Sequence, residues 1–259
     1  QTYLSIERSG ACDITITNIS VREVTNQSSD FTFARSTTAT RVNEQGLIEN
    51  VAANLPRIDY TDGTGSLLLE GQSSNLIPYS EDISEWQLVN ISTELSNTLS
   101  PDGLSFMTKA TFSSQGTNSY IRQNRNMNSG SITVSCFVKK GLIDAFVSLR
   151  ILNLDNPVFV WFNLDNGNIG SETGSPTNKS IVDYGSGIYR ISVTTTSTSD
   201  LSFSTIIQSA ASDGGVPTEN ATQFYWGGMA ENQSYATSYI PTSGSTVTRN
   251  ADACTGAGN

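Results

Sequence analysis

The sequence predicts an all-β fold: an antiparallel β-sandwich of jelly-roll type with an extended N-terminal arm. Three observations predict it. Apolar and polar residues alternate at period two along much of the chain. Gly, Asn, Asp and Ser break that alternation roughly every 10–15 residues, as turns between short strands do. No stretch combines a 3.6-residue apolar period with helix-capping residues.

Taken in order, Ile14 to Val24 reads as a strand with an irregularity near Asn18, resembling the last strand of a preceding module. Residues 31–80 are polar and broken by Gly46, Pro56, Gly63, Gly65 and Pro78. They read as an arm lying on a domain, with Ser66 to Glu70 as a buried strand whose Leu67, Leu68 and Leu69 need cover on both faces, from the jelly roll or from a neighbouring subunit. The alternating runs then follow: Leu104 to Phe112, Ile132 to Val138, Ala145 to Ile151, Tyr189 to Val193, Leu201 to Thr205 and Gln223 to Met229. Val158 to Leu164 is apolar on both faces and ends at the turn signal Asp165-Asn166-Gly167. These runs place Phe106, Val134, Cys136, Val147, Ile191, Val193 and Trp226 in the core. The expected organisation is a terminal strand or assembly segment over 1–30, the arm over 31–80, the jelly roll over 81–252 and a tail over 253–259.

The net charge of −10 argues against nucleic acid and anionic lipid as partners. No apolar run is long enough to span a membrane as a helix. With no histidine in the chain, Ser-His-Asp, Cys-His and His-metal chemistry are excluded within it. The three cysteines form no C-x-x-C pair. Cys136 reads as a small buried hydrophobe, and Cys12 and Cys254 as candidates for a terminal disulfide.

Several separated phrases occur in a telling order. They are Phe31-Thr-Phe-Ala-Arg-Ser-Thr-Thr-Ala-Thr-Arg41, Asn43-Glu-Gln-Gly-Leu-Ile-Glu49, Pro56-Arg-Ile-Asp-Tyr60, and Gly65-Ser-Leu-Leu-Leu-Glu-Gly-Gln-Ser-Ser-Asn-Leu76. Later come Tyr225-Trp-Gly-Gly-Met-Ala-Glu231, Ala236-Thr-Ser-Tyr-Ile-Pro-Thr-Ser-Gly244 and Val247-Thr-Arg-Asn-Ala-Asp252. This order resembles the bacteriophage head-spike, head-fibre and tail-fibre family, whose jelly rolls are similar to carbohydrate-binding modules. The resemblance departs at Gly71, where the family usually has Pro, and at Gly-Gly-Met-Ala after Trp226. It implies a virion surface protein that contacts other virion proteins, adheres to host or environmental glycans and acts as no enzyme. The edge of the opening strand Ile14 to Val24 and the two apolar faces of Val158 to Leu164 predict a homo-oligomer, for which the resemblance favours threefold symmetry. The alternatives are a secreted, extracellular carbohydrate-binding module or adhesin and, last, a polysaccharide depolymerase.

Chemistry-bearing residues are sparse. Asp144, Asp155, Asp165, Glu172 and Asp183 are nominal candidates for a carboxylate pair, yet each sits where a solvated turn residue belongs. No catalytic or cofactor-binding residue is assigned. The one cofactor considered is a structural calcium ion, for which Asp155, Asn156, Asp165, Asn166 and Asn168 offer oxygen donors. Trp86 and Trp226 read as core, given the area an indole buries. Tyr235 and Tyr239, in a polar loop before Pro241, are the candidate ligand contacts, with packing of the return arm as the equal alternative.

Overall fold

The computed structural model describes residues 32–155 and 157–255. Their regular structure is strand, apart from a single 3₁₀ turn at Ile83–Glu85. Six short strands come first: β1 (Thr32–Ala34), β2 (Ala39–Val42), β3 (Ile48–Val51), β4 (Arg57–Asp59), β5 (Ser66–Leu68) and β6 (Ser73–Asn75). The body follows as β7 (Gln87–Val89), β8 (Ile91–Leu99), β9 (Phe106–Phe112), β10 (Tyr120–Met127), β11 (Gly130–Lys140) and β12 (Phe146–Leu152). It continues through β13 (Val158–Asn163), β14 (Asn168–Thr173), β15 (Asn178–Asp183), β16 (Ile188–Ser197), β17 (Leu201–Ala210) and β18 (Thr222–Glu231). Two short strands close it, β19 (Val247–Arg249) and β20 (Ala253–Thr255).

The body is two six-stranded antiparallel sheets, ordered β14-β13-β12-β17-β10-β7 and β15-β16-β11-β18-β9-β8. From β9 to β12 the chain changes sheet at every step, and again from β16 to β18. Thus β17 slots between β12 and β10, and β18 between β11 and β9. That winding is a jelly roll. The alternation explains the filling. Val134, Cys136 and Val138 of β11 and Ile191 and Val193 of β16 face Val147, Leu149 and Ile151 of β12 and Phe162 of β13 across one buried cluster.

The second sheet is buried on its outer face too. β11 is buried from Ile132 to Val138 without a break, which one sandwich interface does not produce. Its Phe137 belongs to a second cluster with Met107, Trp226, Met229, Tyr239 and Ile240, and Val42 and Ile48 of the arm join it. A bulge in β18 makes this possible. Register shifts between Ser135 and Phe137, where Gly227 (φ +63°) and Gly228 together oppose Cys136. Trp226 and Met229, three residues apart, thereby share the outer layer, while Tyr225 and Ala230 share the inner one. A Cβ at Gly227 would lie 2.6 Å from the Phe137 ring, so the position needs glycine for space as well as for its φ.

The arm is therefore a third layer, laid over the second sheet together with the chain's return segment. β1 pairs with β20 and β6 with β19, while β2–β3 and β4–β5 are local ladders. A buried charge cluster fastens it. Asp252 takes Arg35 at 2.9 Å and also Arg57, and Glu70 takes Arg57 at 2.9 Å and Arg249 at 3.4 Å. Side chains of Arg35, Arg57 and Asp252 have no exposure. Burial alone would raise the Asp252 carboxyl, but hydrogen bonds from Arg35 and Arg57 outweigh it and hold the group below the ordinary aspartate range. These five residues come from four of the phrases quoted above, so what those phrases build here is the clasp between arm and return segment.

Several expectations need correction. Phe106 is 43 % exposed: it opens β9 two residues before pairing with β18 begins at Thr108, so the correct face lies beyond the sheet's edge. Leu67 and Leu69 are exposed, and Leu68 is half-buried; β5 is held by its ladder to β4 and by Glu70, not clamped on both faces. The expected tail begins as strand, since β20 pairs with β1. In Val158 to Leu164 the inner face is buried as read, while on the outer face Trp161 is buried and Phe159 half-buried, covered in part within the chain. Arg150 lies over Phe159 and Trp161, and the Trp161 indole donates to the Gly215 carbonyl. Ile14 to Val24 and Cys12 lie outside the described residues, and the Cys12–Cys254 pairing with them. Among the described residues no helix is long and apolar enough to cross a membrane.

Candidate functional site

Laying the arm across a flat sheet leaves a cleft where the two diverge. It has a volume of about 340 Å³ and lies between β2, β4 and β5 of the arm, the outer face of β15 and β16, and the loop 235–239. Period-two alternation builds its floor. Ile181, Ile191 and Val193 point into the sandwich, so Ser180, Val182, Arg190 and Ser192 point out. Ser180 and Ser192 share a hydrogen bond of 2.7 Å between their hydroxyls across the β15–β16 ladder. Arg190 lies with its guanidinium carbon 5.4 Å from the Phe137 ring centre and donates from Nη2 to Ser135 Oγ at 3.1 Å. Its Nε has no partner. Tyr184 stands edge-on to Phe137 at 4.9 Å and adds an aromatic wall.

The lip is held from below by two buried carboxyl groups. Ser238 donates to Glu70 through its backbone N–H at 2.8 Å and its hydroxyl at 2.6 Å. Thr237 donates to Glu231 through its N–H at 3.1 Å and its hydroxyl. Burial raises the Glu231 pKa, against the opposing hydrogen bonds from Thr237 and Ser73. Both anchors fix the loop that carries the two tyrosines.

The structure brings the candidate tyrosines to one cleft but gives them different roles. Tyr235 is 45 % exposed and offers its ring at the lip. Tyr239 is buried, which fits the packing alternative and not the exposed contact. Its ring packs 4.5 Å from Trp226, and its hydroxyl bonds Ser80 at 2.7 Å and donates to Glu81 at 3.1 Å. Trp86, Trp161 and Trp226 are all buried, so none presents a face to a ligand. Sequence reasoning missed Arg190, Tyr184, Ser180 and Ser192. Arg190 had one signal: it is the outward residue between Tyr189 and Ile191 in a strand otherwise filled with Ser, Thr and apolar residues.

The other nominated groups do not converge. Asp144 accepts from Ser209 and from the Thr218 N–H, Asp155 from Thr198, and Asp183 from the Gly185 N–H. Asp165 pairs with Lys140 at 2.6 Å and Glu172 with Lys179. Asp155 and the Asp165-Asn166-Asn168 group lie at opposite ends of β13, roughly 20 Å apart at the rise of a strand. They do not form one calcium cage, and Asn156 lies outside the described residues. Among the described residues no three His, Cys, Asp or Glu side chains gather to hold a metal ion. Two carboxyls that the sequence did not pair, Glu81 and Asp102, line a second cleft of about 400 Å³ beside Tyr239. Burial raises the Glu81 pKa, and the Asp102 charge adds to that rise. Asp102 also caps a turn, accepting from the Leu104 N–H at 3.0 Å.

No family model and no curated protein matches the chain. Among solved structures, a chain from Bacteroides thetaiotaomicron provisionally described as a sugar-binding protein aligns at 10 % identity with a TM-score of 0.34. The alignment covers 61 % of this chain and 95 % of that one. A likeness that small carries no function across.

Proposed function

We propose that this chain is a displayed recognition module, a jelly roll on the surface of a bacteriophage particle that adheres to glycans and catalyses nothing. The observation that carries the binding reading is the cleft itself. An exposed tyrosine ring, a second aromatic wall and a floor of hydroxyls and one guanidinium face a single concavity large enough for a sugar ring or two. Sugars present apolar C–H faces and rings of hydroxyls, which suit an aromatic platform beside polar donors. The ordered phrases support the display reading, since they resemble those of phage spike and fibre proteins.

Two experiments test these readings separately. A glycan array followed by calorimetry should find binding at micromolar to millimolar Kd. Tyr235→Ala should weaken it about tenfold while leaving the fold unchanged, because the ring is exposed. An array with no hit, repeated at millimolar oligosaccharide, would remove the binding reading. Immunogold electron microscopy of purified particles should label their surface; labelling confined to secreted, particle-free material would favour an extracellular adhesin. A second reading has one observation behind it, the raised Glu81 beside Asp102. Reducing-sugar release from host capsule that Glu81→Gln abolishes would establish a depolymerase instead.

A further inference from the structure

The cleft holds charges of both signs, and their pairing is unequal. Arg41 donates to Glu49 and so is neutralised outside the cleft. Glu70 is saturated by Arg57, Arg249 and Ser238. Asp59 spends both oxygens on the arm's backbone, accepting from Val42 N–H at 2.8 Å and Thr61 N–H at 3.0 Å. Arg190 differs from all of these. It has no ion pair among the described residues; its protein acceptors are the Ser135 hydroxyl and, at 3.6 Å, the Met229 sulfur. Only 9 % of Arg190 is exposed, yet it lines the cleft and its Nε has no acceptor.

A guanidinium so enclosed loses most of its hydration, and one hydroxyl and one thioether do not replace a carboxylate. Its guanidinium carbon lies 5.4 Å from the Phe137 ring centre, and its side chain lines the cavity. Beside it stand the Ser180 and Ser192 hydroxyls, suited to the ring hydroxyls of a sugar. Glu231, the buried acid on the lip's underside, accepts from Thr237 and Ser73; its charge interacts with Arg190 without closing to an ion pair.

We propose that the cleft is selective for glycans bearing a carboxylate, such as uronic acids, and that Arg190 is the residue that takes the carboxylate. This rests on the reading of the cleft as a glycan site and adds the sugar's chemical class. Because the chain carries a net charge of −10, the selectivity is a local property of the cleft and runs against the field of the whole molecule.

The test compares matched ligands on the intact chain. Hexagalacturonate, its fully methyl-esterified form and a neutral hexagalactan would be titrated by calorimetry at two salt concentrations. The acid form should bind at least about tenfold tighter than the ester, since a charge-assisted pair is lost on esterification. Arg190→Gln should erase that difference, and Arg190→Lys should keep part of it. Thermal melts of both variants show whether they remain folded, and the wild-type comparison holds regardless of them. Equal binding of acid and ester by the wild-type chain would overturn the proposal while leaving a glycan site in place. Binding of none of these ligands, together with a blank array, would overturn the glycan reading and this proposal with it.

Discussion

Replacing Asp252 by Ala should detach the arm. Asp252 accepts from Arg35 Nη1 at 2.9 Å, from Arg57 Nη2 and from the Glu70 N–H at 2.9 Å. Hydrogen bonds to charged groups contribute about 1.5–3 kcal/mol each, so the two guanidinium bonds together are worth about 3–6 kcal/mol. The cost is reduced because Arg57 keeps Glu70, and Arg35 keeps the carbonyls of Thr37 and Ala52 at 2.9 and 2.8 Å. It is increased because the guanidinium groups stay buried. Removing one partner of a buried pair typically costs about 3–5 kcal/mol, and we take that range. For a chain of this size it corresponds to a fall in melting temperature of roughly 6–20 °C. Calorimetry measures the fall, and limited proteolysis with mass spectrometry locates the first cut, expected within residues 32–80. A melting temperature within 2 °C of wild type, with the arm still protected, would show that the cluster is not what holds the third layer.

Two further predictions follow from the same layer. Trp226→Ala should cost about 3–5 kcal/mol, because the indole fills the space between Phe137 and Tyr239 and donates to Ser105 Oγ at 3.2 Å; an unchanged denaturation midpoint would contradict that packing. Acid should loosen the arm. The lowered Asp252 pKa adds stability that is complete above its unfolded value, about 3.9, and is lost as pH falls through the folded one. Glu231 has the opposite sign: its raised pKa adds stability present below about 4.3 and lost as pH rises through the folded value. Glu231→Gln should therefore flatten the alkaline side of a melting-temperature profile, and a profile parallel to wild type throughout would refute the assignment.

The two-sheet body was legible because period-two alternation reports which face of a strand meets the other sheet. The runs Ile132–Val138 and Tyr189–Val193 sit as their patterns require. Alternation does not report where a sheet ends, which is why Phe106 was misplaced. Nor does it report a third layer. Phe137 and Trp226 read as ordinary strand aromatics, and only the bulge at Gly227-Gly228, together with an arm some hundred residues away in sequence, gives them a shared outer core. Leu67 to Leu69 looked buried on hydrophobicity alone, yet the arm is fixed by charge. Its decisive contact joins Arg35 to Asp252 across 217 positions, a pairing that no local pattern encodes.

The candidate site shows the same division. Tyr235 could be picked out because an aromatic residue in a polar loop is conspicuous, and its exposure follows from the loop's position at the cleft's lip. Tyr239, four residues on, carries the same local signal, but the Trp226 ring and the Ser80 hydroxyl claim it from the other side. Arg190 gave almost no signal, because an outward arginine on a strand is ordinarily a solvated one. What makes it different is that the arm and the loop 235–239 enclose the face on which it stands. Glu70 belongs to both features: it pairs with Arg57 in the clasp and holds Ser238 at the lip. The clasp and the cleft are thus mechanically one object. Glu70, which helps close the third layer over the sheet, also holds the loop that carries the exposed tyrosine to the cleft where Arg190 stands.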